Sequence, residues 1–222
     1  MESMSRTTIE DQGGTLAIKK IRPIGDYLLV RMIEKEMSAG GILLPKSKAD
    51  PIRIAEVLAL GQGITDEVTG QVYPFGLKIG DHILFMDYAG ERMELRDGSY
   101  RMIRAHGVWA RVTFRNIESY EINSIEPRMN CVVLEPSDET MTMSGLIYFP
   151  NEKNAECPNR IGTVWCVGPG QWARGEGKRK SIELKPGQRV IFMRYAGAEI
   201  VVNGKLLRIL QDDDIRCTYE ED

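Results

Sequence analysis

Apolar residues along the chain fall in short runs rather than in long stripes. Residues 27–30, 56–60 and 82–85 are rich in Leu, Ile and Val, and Gly, Pro and Asp interrupt them at close intervals. That is the pattern of short strands joined by tight turns in a small barrel. No segment keeps a helical spacing of apolar positions through three turns. The pattern therefore predicts an all-β fold. Two glycine pairs, Gly61-Gln62-Gly63 and Gly168-Pro169-Gly170, follow apolar runs. Neither opens a helix or continues into the longer glycine frame of a phosphate cradle, so both read as turns.

The same pattern occurs twice. Ile21-Arg22-Pro23 returns as Ile125-Glu126-Pro127, and Tyr27-Leu28-Leu29-Val30 as Cys131-Val132-Val133-Leu134. Leu77-Lys78-Ile79-Gly80-Asp81 returns as Leu184-Lys185-Pro186-Gly187-Gln188, and Tyr88-Ala89-Gly90 as Tyr195-Ala196-Gly197. The offset is 104 residues at Ile21 and 107 at Gly61 and Tyr88. Each repeat is thus of ordinary small-domain size. The expected division is a polar tail over 1–20, a first domain over 21–114, a linker over 115–124 and a second domain over 125–222.

Composition narrows the function classes. The 222 residues carry 29 Lys and Arg against 32 Asp and Glu, a net charge of -3, which gives no general attraction to nucleic acid or to an anionic membrane. No apolar stretch approaches the roughly 20 residues of a membrane span. The first 20 residues lack an apolar secretory core and include Glu2, Glu10 and Asp11, which argues against a transit peptide. A cytoplasmic location is the default expectation. The four cysteines, Cys131, Cys157, Cys166 and Cys217, form no C-x-x-C pair, and only His82 and His106 could join them. Neither a metal site nor a disulfide framework is expected, and the cysteines read as reduced thiols, some of them buried. No Ser, Cys or His arrangement supports a nucleophilic triad. The chain is expected to be no enzyme and to need no cofactor.

Several motifs taken together carry a family resemblance. They are Ile21-Arg22-Pro23-Ile24-Gly25-Asp26, Ser38-Ala39-Gly40-Gly41-Ile42-Leu43-Leu44-Pro45, Ala55-Glu56-Val57, Lys78-Ile79-Gly80-Asp81, Tyr88-Ala89-Gly90 and Asp213-Asp214-Ile215. In this order and spacing the chain resembles the GroES family of co-chaperonins, twice and over nearly its whole length. The second copy departs at its opening, which lacks the usual Gly-Asp after proline and has Arg128-Met129, and in its first loop. The resemblance implies two tandem GroES-like small β-barrels, each with a mobile loop and a roof hairpin. It implies self-association into a ring that caps an ATP-dependent, GroEL-type chaperonin. It also implies indirect action on unfolded client proteins, with any nucleotide hydrolysis belonging to the partner.

The loop over 34–48 mixes charges and small residues around one apolar tripeptide, Ile42-Leu43-Leu44, preceded by Gly40 and Gly41. The glycines raise the entropy of the free chain. By pattern alone the tripeptide reads as a barrel strand; the resemblance makes it the chaperonin anchor. Burying three aliphatic side chains would contribute on the order of 5 kcal/mol before the loop is ordered, so each contact is weak and a ring supplies avidity. The matching anchor in the second copy is Leu146-Ile147-Tyr148 after Gly145. The roof segments differ in sign, with Asp66 and Glu67 in the first and Arg174, Lys178, Arg179 and Lys180 in the second. They read either as the lining of a chamber ceiling or as solvated hairpins.

Two other classes stay in view. A small-barrel module binding RNA or a protein scaffold would share the strand–turn units, though the cluster Lys178-Arg179-Lys180 has only Trp172 nearby for stacking. A zinc dehydrogenase barrel would need a Cys/His constellation that is missing from the sequence. Two domains per chain leave two ring arrangements open: stacked rings of unlike domains, or one ring in which the two alternate. The divergence of the two anchors favours stacked rings.

Overall fold

The computed structural model describes residues 21–33, 52–95, 98–137, 140–141, 147–148 and 159–219. The first repeat contributes β1 (Tyr27–Met32), β2 (Ile52–Leu60), β3 (Ile64–Thr65), β4 (Val72–Tyr73), β5 (His82–Met86), β6 (Glu91–Leu95), β7 (Gly98–Arg104) and β8 (Val108–Asn116). Then comes β9 (Glu121–Pro127). The second repeat adds β10 (Cys131–Pro136), β11 (Thr140–Met141), β12 (Ile147–Tyr148), β13 (Asn159–Val167), β14 (Gln171–Trp172), β15 (Arg179–Lys180), β16 (Arg189–Met193), β17 (Ala198–Val202), β18 (Lys205–Gln211) and β19 (Ile215–Tyr219). Helix among the described residues is confined to two single 3-10 turns. The expected all-β fold of two small barrels is what forms.

Pairing repeats with the sequence. In the first barrel the order is β6-β7-β1-β2-β5-β8, and in the second β17-β18-β10-β13-β16-β19. Even the irregularities recur: β1–β2 slips register at Leu29/Val30, and β10–β13 slips at Val133/Leu134. Each barrel has its own core, built around Leu28, Val30, Ile83 and Phe85 in the first and Val132, Leu134, Val190 and Phe192 in the second.

The paired glycines owe their place to close backbone approach. A Cβ on Gly61 would collide with the carbonyl of Gly25, and one on Gly168 with the carbonyl of Met129. At the second of these contacts Met129 adopts φ 49°, where Gly25 has φ 60°. The second barrel thus holds a bulky residue in the left-handed region that its counterpart reserves for glycine.

The stretch read as a linker, 115–124, is a hairpin: it comprises the end of β8, a turn at 117–120 and the start of β9. Strand β9 pairs along β8 from Ala110↔Pro127 to Asn116↔Glu121 and touches β17 through Val202↔Ile122. The two barrels are thereby joined in one 13-stranded sheet. A third apolar core lies at the joint. Leu84, Met86, Trp109, Ala110 and Val112 from the first barrel pack with Val133, Ile200, Leu207 and Ile209 from the second. Strand β5 shows how: Ile83 and Phe85 point into the first barrel, while Leu84 and Met86 point into the joint. An unbroken apolar run on a strand signals burial on both faces.

One cation recurs in both barrels, buried in the first and half-buried in the second. Arg101, 2% exposed, donates to the backbone oxygens of Asp87 and Ala89 and to the Asp87 carboxylate at 2.6 Å. Arg208 repeats this on the oxygens of Arg194 and Ala196, with Glu199 as its carboxylate at 2.8 Å. The arginines clamp the Tyr-Ala-Gly turns from below through backbone carbonyls. Partial burial raises the pKa of Asp87, but hydrogen bonds from Arg101, Arg53 and Arg92 outweigh it and bring the carboxyl down to about 2.

Replacing Arg101 with Met should destabilise the protein by about 2–3 kcal/mol, below the cost of breaking a fully buried pair because Asp87 reaches solvent. Urea unfolding measures this. A carboxyl depressed in the folded state stabilises above its unfolded pKa and stops doing so as pH falls through the folded value. The Asp87 contribution should therefore be complete above about pH 4 and fade toward pH 2. In Arg101→Met that acid dependence should be reduced.

Candidate functional site

Both long loops leave their barrels at the same place. The first departs after β1 and returns at β2, with Ile33 N–H donating to Ile54 O at 3.1 Å across the base. The second departs after β10 and returns at β13, closed by Ser137 N–H donating to Ile161 O at 2.9 Å. Gly40, Gly41, Ile42, Leu43, Leu44, Gly145 and Leu146 lie outside the described residues. Ile147 and Tyr148 form β12, which pairs with β11 as a two-residue ladder, Thr140↔Tyr148 and Met141↔Ile147. Two of the three residues expected as the second anchor are thus paired in a small ladder.

The roof segments leave from the opposite ends of β2 and β13. Each of these strands has nine residues, so roughly 30 Å of strand separates loop base from roof. The two roof hairpins, β3–β4 and β14–β15, lock onto each other. Tyr73 and Trp172 stack with ring centroids 4.0 Å apart and planes 12° from parallel. Such a pair contributes about 0.5–1.5 kcal/mol beyond its buried area. Arg179 lies over the same indole, 4.4 Å from the ring centroid, and donates to Gly170 O.

Asp66 is the hinge pin of this contact. One carboxylate oxygen accepts from the backbone N–H groups of Val68 and Thr69, turning its own hairpin. The other accepts from Gly175 N–H of the second hairpin at 2.7 Å and from the Tyr73 hydroxyl. These bonds, with Val68 and then Gly175 foremost, hold its carboxyl below the usual range. Glu67 and Arg174 form an exposed ion pair at 2.9 Å, and Lys178 pairs with Glu176 at 3.1 Å. Lys180 is exposed. Five of the six roof residues named from the sequence, Asp66, Glu67, Arg174, Lys178 and Arg179, therefore act within the protein, holding roof to roof or a hairpin to itself. The stacking surface of Trp172 is taken up by Tyr73 and Arg179.

Sequence reasoning missed a second clasp. Arg128 is 8% exposed and donates from its guanidinium to the carbonyls of Phe75 and Gly76 in the first barrel. Its N–H also bonds to Trp109 O at 2.8 Å. Position 128 is the one where the second repeat departs from Ile24. The departure marked a contact between barrels, but one sequence gave no means of telling which group it would reach.

The described residues contain no group of three or more His, Cys, Asp or Glu able to hold a metal, and no helix long and apolar enough to cross a membrane. His82 packs edge-on against Phe114, with ring centroids 5.3 Å apart. Cys131, Cys166 and Cys217 are free thiols. Burial pushes the first up to about 12 and the second to about 11, so neither is a ready nucleophile.

The family described as chaperonin 10 Kd subunit matches this sequence twice, over residues 20–112 and 124–219. The chain belongs to that family. Among curated relatives, the Co-chaperonin GroES of Chlamydia felis (strain Fe/C-56) is 39% identical over 92 residues, covering 41% of this chain and 89% of its own length. That of Chlamydia pneumoniae is 39% identical over 104 residues, 46% of this chain and 97% of its own. That of Coxiella burnetii (strain Dugway 5J108-111) is 41% identical over 86 residues, 38% and 88% respectively. Each relative is thus spanned almost end to end by less than half of this chain. The gap between the two chaperonin-10 matches, 113–123, falls in the hairpin that joins the barrels.

If the roofs are held as described, Tyr73→Ala and Trp172→Ala should be non-additive, with a coupling of about 0.5–1.5 kcal/mol in a double-mutant cycle read by urea unfolding. Asp66 stabilises only while ionised, so its hold on Gly175 should be full above about pH 4 and lost as pH falls below it. Amide exchange at Gly175 checks this, and Asp66→Ala should give the fast rate at neutral pH.

Proposed function

We propose that this chain is a co-chaperonin that caps an ATP-dependent, GroEL-type chaperonin ring and so assists protein folding. The observation that carries the reading is the double family match, supported by relatives whose name is co-chaperonin GroES. Ile42, Leu43 and Leu44, preceded by Gly40 and Gly41, are the primary anchor on the chaperonin. Leu146, Ile147 and Tyr148 are the second. The layout suits a cap: loop bases at one end of each barrel and the interlocked roofs at the other. Weak anchors multiplied around a ring bind tightly while the chaperonin is receptive and let go when it changes state. Catalysis has no place in this role, and ATP is hydrolysed by the partner. The RNA-binding alternative has less support, because Trp172 and Arg179 are engaged on each other and on Tyr73.

Mixing the protein with a GroEL-type chaperonin and nucleotide should give a co-sedimenting capped complex. Replacing Ile42, Leu43 and Leu44 together with Ser should lower apparent affinity by about 100-fold or more, since loss of apolar burial is repeated at every loop. Unfolding of the variant should match the parent. Unchanged co-sedimentation of the triple variant would remove the anchor from this loop.

A further inference from the structure

The two barrels share a backbone plan, so a surface where their side chains diverge shows what one of them carries for itself. The flank of the first barrel holds an open cleft of about 700 Å³. That volume falls within the roughly 300–1,000 Å³ of small-molecule sites. The opening segment at Arg22, the Tyr88-Ala89-Gly90 turn and residues between Met102 and Trp109 surround it. Its lining is largely apolar. Met86, Ile103 and Trp109 are buried, whereas Ile24 and Tyr88 are 77% and 78% exposed.

Two arginines and a histidine join this lining: Arg22, Arg104 and His106, all exposed. Glu91 is the one carboxylate among the described lining residues. Arg104 is held in place. Its guanidinium lies over the Tyr27 ring, 4.7 Å from the centroid, and its Nε donates to the Tyr27 hydroxyl at 3.0 Å, with Asp26 3.7 Å away. An arginine fixed in this way presents its remaining N–H groups with little rotamer freedom left to lose. The second barrel carries the reverse chemistry at the same places. Glu126 stands for Arg22, Gln211 for Arg104, Asp213 for His106 and Arg216 for Trp109. Glu126 is engaged at the joint, where it accepts from Arg111. Other positions keep their character, with Met193 for Met86, Tyr195 for Tyr88 and Leu210 for Ile103. Building the barrel therefore does not call for two arginines, a histidine and an indole around this cleft.

We propose that this cleft binds a small planar aromatic anion. The ring system packs against Tyr88, Trp109 and the apolar lining, by offset stacking or edge contact with the aromatic side chains. The anionic group is taken by Arg22 and Arg104, whose forked N–H donors suit a carboxylate or a similar oxyanion, with His106 beside them. Apolar burial supplies most of the affinity, and the polar groups fix the orientation and select for charge. Among the second barrel's residues at these places, Glu126 and Asp213 would repel the same ligand. None of the roof residues lines the cleft. The proposal goes beyond the co-chaperonin reading and does not depend on it.

The test uses the full chain and two fluorescent probes that share one ring system: anilinonaphthalene sulfonate, an aromatic anion, and phenylnaphthylamine, its uncharged counterpart. The sulfonate should bind saturably, and added salt should weaken it without affecting the neutral probe. Arg22→Glu combined with His106→Asp places the second barrel's residues at two exposed positions. This variant should bind the sulfonate about fivefold or more weakly and the neutral probe as the parent does. Tyr88→Ala should weaken both probes, and Tyr195→Ala, at the equivalent place in the second barrel, neither. Urea unfolding of every variant should match the parent, since all four positions are exposed. Sulfonate binding that does not saturate, equal sulfonate affinity in the parent and the charge variant, or a loss caused by Tyr195→Ala and not by Tyr88→Ala would each overturn the proposal.

Discussion

Everything in this protein is arranged around the pairing of β8 with β9. That ladder fixes the second barrel against the first in one register, from Ala110↔Pro127 to Asn116↔Glu121. The apolar faces on either side of it then have no choice but to meet. Leu84, Met86 and Val112 come from one barrel and Ile200, Leu207 and Ile209 from the other. The Arg128 clasp and the roof contact are consequences of the same placement. Barrels of about 100 residues each bury a smaller fraction of their surface than a larger domain does. A shared third core gives each of them part of what it lacks alone.

The roof contacts and the loop bases lie at opposite ends of each barrel. Polar groups that the repeat placed at the roof, Asp66, Arg174 and Arg179, are taken up in hydrogen bonds and ion pairs. The loop bases on the far side of the barrels are closed by single backbone bonds at Ile33 and Ser137. Those bonds hold the start and the return of each long loop at a set position on its barrel.

Much of the fold was legible in the sequence because its signals are local. Short apolar runs between glycines and prolines specify strands without reference to distant residues, and a recurring pattern implies a recurring structure. The glycine turns were legible for the same reason, although their cause, a carbonyl packed where a Cβ would stand at Gly61 and Gly168, was not. Arg101 and Arg208 recur at the offset of 107 residues and could have been noticed. Nothing in an arginine on a strand, however, says that it will turn inward to clamp a turn 12 to 14 residues earlier.

What the sequence by itself determined was the fold class, the duplication and the family, all of which depend on order and spacing along the chain. Tertiary structure alone decided that 115–124 is a hairpin rather than a tether, that Asp66 and Arg174 hold the roofs together, and that Arg128 is a clasp. The physical reason is that charge and apolarity state what a residue needs but not where it will find it. A polar stretch with Glu118, Glu121 and Asn123 is equally suited to a solvated linker and to an exposed hairpin. Only the position of Ile122 against Val202 and of Ser124 beside Thr113 makes it the second.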